Sequence, residues 1–579
     1  MSRTVAFLGA LALAAAVAAA YAPVLACDFI WDDDFYVTRN PTLRSLDGLG
    51  RIWLEIGATP QYYPLVHTSY WLEYRVFGLA PAGYHATNLA LHATGALLFW
   101  RVLLALGLPA AAAWLAAAVF AVHPVHAESV AWVTERKNVL SGACYLAALL
   151  AWLRFEARAP GAPGRGRLYA LAFALYLGAL AAKTVTCTFA PAVLLLAWAR
   201  RGRIGRRDLL PLAPFLAAGL LLGLLTLGME RTTVGAAGRE WDLTLLERSL
   251  VAGRALWFYL GKLLWPQDLA FIYPRWRIDA GAPSQYLYPA AAAAGLGALW
   301  LARRRLGPWP FAALAFFAGT LVPALGFFDV YPMRFSFVAD HFQYLASLGP
   351  IALTVALAFR LADRLGRAGR ALGAALAVAA LLLLAALVRA QLPMYRDAES
   401  LWAETIRRNP EAWIAWNNLG QIVSARGESE RALELYRRAV ALNDEYEMGH
   451  YNLGSLLADL GRLDEALPHL ERAVAIMPGF ADAHLNLGNA LGRRGDTAGA
   501  VAHYRAALAI DPRRAKAHHN LGVALRAQGD LAGAVEALER AVELRPRWAR
   551  ARRELAAALR AQGREDEARR HLAEAEHGS

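Results

Sequence analysis

Up to about Leu392 the apolar residues of this chain come in runs long enough to cross a bilayer, with few charges between them. A span takes ~20 predominantly apolar residues. In lipid a segment of that length must satisfy its own backbone, which a helix does. The runs fall at 5–26, 84–106, 110–122, 139–153, 168–182, 185–199, 209–227, 286–301, 309–327, 342–359 and 371–392. With 57% hydrophobic residues, the chain is too apolar for an ordinary soluble enzyme. Its net charge of +13 invites a nucleic-acid reading, but the arginines cluster between apolar runs, at 154–167, 200–207, 303–305 and 360–370. That is the positive-inside pattern, which places those loops in the cytoplasm and needs no nucleic-acid partner. About eleven crossings follow, N-terminus inside and C-terminal region outside. The segment 249–265, interrupted by Arg254 and Lys262, reads as an outer interfacial helix. Three cysteines, Cys27, Cys144 and Cys187, are too few for a disulfide framework. The stretch Val24-Leu25-Ala26-Cys27 faintly resembles a lipoprotein cleavage box, and the Ala-rich N-terminus also allows a signal peptide.

On this topology four polar stretches share the outer face: Asp32, Asp33 and Asp34; His123 to Lys137; the turn at Lys183; and Asp329 to Tyr344. Ionisable groups at membrane depth are costly and mark a functional site. The first stretch, Phe29-Ile30-Trp31-Asp32-Asp33-Asp34-Phe35-Tyr36, is either a solvated acidic loop or an acid/base or metal site held at the membrane face. In His123-Pro124-Val125-His126-Ala127-Glu128 the proline interrupts the helix that would set the histidine spacing. A metal set, a hydrogen-bonded structural pair and a substrate contact all stay open there. Arg136-Lys137 supplies cationic donors or is a surface basic pair. Lys183 either snorkels or neutralises a phosphate. Asp340-His341-Phe342-Gln343-Tyr344 opens the tenth run, alternatively as an aromatic belt with an incidental charge.

From Asp397 the chain repeats at a period of 34. Leu-Gly recurs at Leu419-Gly420, Leu453-Gly454, Leu487-Gly488 and Leu521-Gly522, with turn glycines at Gly427, Gly461, Gly495, Gly529 and Gly563. Alanines recur at Ala432, Ala466, Ala500, Ala534 and Ala568. This is the tetratricopeptide pattern, in which each helix pair needs neighbours to bury its face. Residues 1–392 therefore read as a polytopic membrane domain, and 393–579 as about five repeats behind a leading helix. Trp416 gives way to His450, His484 and His518 in later units. Asn418, Asn452, Asn486 and Asn520 hold one register position, where amides could bind an extended peptide or simply be common in such repeats.

The whole chain resembles the transmembrane-and-tetratricopeptide (TMTC-like) proteins, whose first part is similar to a GT-C glycosyltransferase. The resemblance rests on Phe29-Ile30-Trp31-Asp32-Asp33, Tyr63-Pro64-Leu65, His123 through Trp132, Arg136-Lys137-Asn138-Val139-Leu140-Ser141, Ala182-Lys183-Thr184 and Phe337 through Leu345. His341 departs from it, standing where the family more often has arginine. The resemblance implies an all-α fold and transfer of a sugar, mannose or another hexose, from a polyprenyl-phosphate donor to Ser or Thr hydroxyls of an acceptor protein held by the repeats. It implies Asp32 or Asp33 as base, the other orienting the acceptor or a divalent ion. Arg136, Lys137, Lys183 and His341 would hold the donor phosphate, and Trp31, His123, His126, Glu128, Asp340 and Tyr344 would line the site. It fixes no cofactor and leaves a divalent metal open. Alanine and arginine richness points to a GC-rich bacterial genome, hence an inner membrane with the repeats in the periplasm. A non-enzymatic scaffold for envelope or polysaccharide export is the competing class, and a transferase acting on glycans or lipids the third.

Overall fold

The computed structural model describes residues 2–234 and 241–577, and every regular element among them is helical. The chain divides into two compact units, Met1–Asn409 and Pro410–Ser579. The helix expected to lead the repeats, Ala398–Arg408, falls in the first unit.

Among the described residues of the first unit five helices are long and apolar enough to cross a membrane: Arg3–Ala26, Pro81–Ala105, Val133–Ala157, Arg206–Thr232 and Gly366–Tyr395. Ala110–Ala121 and Pro124–Ala131 count as a sixth only if their 51° bend is one broken span. Pro124 explains the bend. It lacks an N–H and pushes the residue before it out of the helical region, and His123 is extended at ψ 128°. The eleven apolar runs thus fall on five helices of spanning length, this bent pair and shorter helices. Phe189–Arg201 and Trp309–Leu321 have 13 residues each, about 20 Å at 1.5 Å per residue, short of the ~30 Å hydrocarbon layer.

The helix that begins at Arg136 and runs to Ala157 is the most enclosed of these five, packed against Pro81–Ala105 and Arg165–Ala182. Residues 34–84 fold over its start, where Tyr36, Leu43, Ile52, Tyr63, Val66, Tyr70 and Tyr84 form one core with Val133 and Ala182. Gly142 lets Tyr344 in against this helix, since a Cβ there would meet the tyrosine ring at 2.8 Å.

The second unit is five helix pairs: Trp413–Ala425 with Ser429–Leu442, Glu447–Asp459 with Leu463–Ile476, Ala481–Arg494 with Thr497–Ile510, Ala515–Ala527 with Leu531–Leu544, and Ala549–Ala561 with Glu565–His577. The repeat residues explain the packing. Ala432, Ala466, Ala500, Ala534 and Ala568 are fully buried, and the Leu-Gly glycines let the paired helices touch. A Cβ on Gly488 would stand 2.7 Å from the Tyr504 ring. Overpacking of this kind costs about 1–3 kcal/mol. Gly488→Val should therefore lower the thermal midpoint of the full-length protein in detergent, whereas Gly479→Val, with nothing within 4 Å, should not. Equal midpoints would refute this account of the repeat.

Candidate active site

The first acidic loop is fastened to the start of the Arg136–Ala157 helix through Asp33. That side chain is fully buried and accepts from the Ile30 N–H at 2.9 Å, the Thr134 N–H at 2.7 Å and the Thr134 hydroxyl at 2.5 Å. Trp31 lies parallel to Trp132, ring centroids 5.5 Å apart, with Phe271, Phe335 and Trp402 against it edge-on. Its φ is +44°, a left-handed conformation that costs a bulky L-residue on the order of 1–3 kcal/mol. The aromatic cage around the ring holds it there.

The strained residue leads directly into Asp32. This carboxylate is partly exposed and accepts no hydrogen bond among the described residues. Burial pushes it up to about 6, with Lys137 pulling down and Glu135 pushing up. Asp33 is also raised, by burial against the pull of its three donors. The two neighbours therefore differ in kind: Asp33 is spent on the fold, and Asp32 keeps its lone pairs.

Beside them lies a charge cluster built around Glu135, a residue the sequence reading did not single out. Its Oε1 is 3.1 Å from Lys137 Nζ, and its Oε2 is 3.2 Å from Lys183 Nζ and 2.6 Å from Asn138 Nδ2. Asn138 also accepts from Lys183 at 2.8 Å and donates to the His341 carbonyl at 3.0 Å. Lys183 reaches the cluster because the Arg165–Ala182 helix stops just before it, the backbone turning extended at φ −162°. His341 is held from behind by Glu128, which takes its ring at Nδ1 (2.9 Å) and its backbone N–H (3.1 Å). Asp340 accepts from Tyr273 with both oxygens. Glu230, also not foreseen, joins through Gln61 to Tyr36, over whose ring Lys137 sits at 5.2 Å. The available signal for Glu135 was its place in Glu135-Arg136-Lys137, a carboxylate beside two cations, which reads equally as a surface charge run.

The expected roles of Arg136, His123, His126 and Tyr344 are corrected. Arg136 is not a phosphate ligand: it is fully buried, 2.6 Å from Glu73, and its remaining donors go to Asn88, Ser69 and the Tyr84 carbonyl. His123 and His126 do not line a site, because both nitrogens of each ring are engaged, His123 by the Val125 N–H and the Leu263 carbonyl, His126 by the Phe120 carbonyl and Ser347. Tyr344 is a packing residue bonded to His92 at 2.9 Å. Among the described residues no group of three or more His, Cys, Asp or Glu side chains is placed to hold a metal ion.

On the repeats, three of the four register asparagines spend their amide N–H groups on neighbouring helices: Asn452 on Asn417, Asn486 on Ser455, and Asn520 on Asn489. Asn418 accepts from Asn417.

The fold and this cluster define a class: a helical membrane domain with a buried charged site, joined to tetratricopeptide repeats. Residues 383–447 and 451–515 match one tetratricopeptide repeat model, and 515–548 a second. Among curated proteins the chain is similar to protein O-mannosyl-transferase TMTC3 of Mus musculus, 33% identical over 147 residues, covering 24% of this chain and 16% of that protein. Protein O-mannosyl-transferase F38B6.6 of Caenorhabditis elegans is 31% identical, covering 22% and 21% respectively. The matches thus span about a sixth to a fifth of these relatives' length. Among solved structures it is similar to YrrB, described as a TPR protein with an unusual peptide-binding site (22% identity, TM-score 0.30, covering 31% of this chain and 94% of that one). A MamA crystal structure matches at 22% identity and TM-score 0.28, covering 29% and 92%.

The Arg136–Glu73 pair ties residues 64–77 to the helix that carries the site. Removing one partner of a buried pair strands the other and costs about 3–5 kcal/mol. Glu73→Gln should lower the thermal midpoint markedly. The exposed-pair variant Glu55→Gln, partner of Arg51, should leave it within error. A Glu73→Gln midpoint equal to the parent's would remove Arg136 from the scaffold.

Proposed function

We propose that this chain is a membrane glycosyltransferase that moves a hexose, mannose by analogy with its relatives' names, from a polyprenyl-phosphate donor to Ser or Thr hydroxyls of a protein. The observation that carries the reading is Asp32, an unpartnered carboxylate that feels the charge of Lys137, which shares Glu135 with Lys183. The acceptor hydroxyl attacks the anomeric carbon and loses its proton to Asp32. The bond from that carbon to the phosphate oxygen breaks, and the leaving phosphate gathers the charge. A base poised near neutral suits the first event, and fixed cations suit the last. Lys137 and Lys183 are the phosphate donors, with His341 presenting its Nε2 edge while Glu128 holds Nδ1. Trp31 and Trp132 offer an aromatic floor. The site and the repeats lie on the outer side of a bacterial inner membrane, opposite the arginine-rich loops. The repeats hold the acceptor, the carbonyl oxygens of Asn452 and Asn486 taking backbone N–H groups of an extended peptide.

The test is mass spectrometry of envelope proteins from cells expressing the parent, Asp32→Asn or Lys183→Met at matched levels. Hexose on specific Ser/Thr peptides should fall by at least roughly a hundredfold in Asp32→Asn, the scale of general base catalysis, and should also fall in Lys183→Met. An unchanged glycopeptide profile would discard protein O-glycosylation and leave the scaffold, or a glycan or lipid acceptor.

The pH dependence has a definite sign. The base form of Asp32 exists above its pKa of about 6, so initial rates should fall as pH drops through 6 and level off above 7. In Lys137→Met the cation that lowers Asp32 is gone, and the acid limb should move to higher pH. A limb that stays put would exclude Asp32 as the base.

A further inference from the structure

The tryptophan-to-histidine exchange in the repeats follows one rule. Trp416 donates its indole N–H to the carbonyl six residues earlier, Pro410, at 3.0 Å. His450 pairs its Nε2 with the Asp444 carbonyl at 3.2 Å, His484 with Pro478 at 3.1 Å, and His518 with Pro512 at 3.0 Å. Arg552 does the same through Nε to Pro546 at 2.8 Å. A carbonyl only accepts, so each of these histidines carries its proton on Nε2 and a lone pair on Nδ1. Tryptophan has no such lone pair at this place.

In two successive repeats a second histidine, nineteen positions on, faces that lone pair. His450 and His469 bring their Nδ1 atoms to 3.1 Å, and His484 and His503 to 3.0 Å. The ring planes are inclined 33° and 30°. Burial favours the neutral ring at His450, His469 and His503.

We propose that the His450–His469 and His484–His503 pairs are two binding sites for a divalent transition-metal ion such as Zn²⁺, each clamping the two helices of one repeat. The geometry is close to what the ion needs: Zn–N bonds of about 2.0–2.1 Å in a tetrahedral site set two nitrogens about 3.3 Å apart. The carbonyl behind His450 and His484 is the outer partner that fixes a metal-bound imidazole. On binding, His469 and His503 move their proton from Nδ1 to the half-exposed Nε2, so no proton is released. Water fills the other positions. Asp444, 3.5 Å from His450 Nε2 and paired with Arg472, is the nearest carboxylate to the first pair. The chain contains its own controls, since the position nineteen residues after His518 is Ala537 and His571 is already bonded by Arg552 at 3.2 Å.

The test is equilibrium dialysis of tag-free, full-length protein in detergent against Zn²⁺, read by elemental analysis with circular dichroism as the folding check. Two equivalents are expected. His469→Gln and His503→Gln should each lose one, the double variant both, and His518→Gln none. Ala537→His, which completes a third pair, should gain one. Two equivalents retained by the folded double variant, or no zinc on the folded parent, would overturn the proposal.

Discussion

The buried contact between Arg136 and Glu73 is what the rest of the site depends on. Arg136 is the first residue of its helix, and its two neighbours, Glu135 and Lys137, are members of the charge cluster. Successive residues on a helix point about 100° apart, so one charge can be driven into the scaffold while the flanking two face the site. The guanidinium reaches Glu73, Ser69, Asn88 and the Tyr84 carbonyl, joining three segments beside the charge cluster. An isolated cation could not be kept there. Desolvation costs several kcal/mol per ion, and only a near-complete partner set offsets it.

The same accounting separates scaffold from site throughout the first unit. Asp33, Arg136, His123, His126 and Tyr344 have polar atoms that are matched or packed away. A substrate could use them only by breaking what holds the loops together. Asp32 has no such commitment, and Lys137 and Lys183 share one carboxylate between them. The backbone strain at Trp31 fits this division. Strain persists where surroundings over-determine it, and here an aromatic cage and the Asp33 bridge on either side leave Asp32 little freedom to find a partner.

This is also why the sequence revealed the architecture more fully than the site. Apolar runs, arginine-rich loops and the 34-residue repeat are one-dimensional signals, and each survives folding. That four polar stretches meet was legible too: Asp33 reaches Thr134, Lys183 reaches Asn138, and His341 reaches Glu128. What a linear reading lacks is direction. Nothing in the letters says that Arg136 turns inward while Lys137 does not, or that Asp33 rather than Asp32 meets a threonine. His123 and His126 misled for a related reason. Pro124 does break the helix, and the break leaves the Phe120 carbonyl for the His126 imidazole, while His123 reaches the Leu263 carbonyl.

Glu135 is the least expected feature of a site read as binding an anion, since it sets a negative charge between Lys137 and Lys183. On the proposed reaction its presence follows from the charge of donor and product. A polyprenyl-phosphate sugar carries one negative charge on its phosphodiester, and the released polyprenyl phosphate carries close to two near neutral pH. Two unopposed lysines in a desolvated pocket would hold the product more tightly than the donor, because electrostatic terms grow as water is excluded. A resident carboxylate reduces the pair to about one net charge. It also gives each lysine a partner when the site is empty, so neither ammonium is left buried alone. Glu135 thus makes the cations affordable to the fold and lets the phosphate leave.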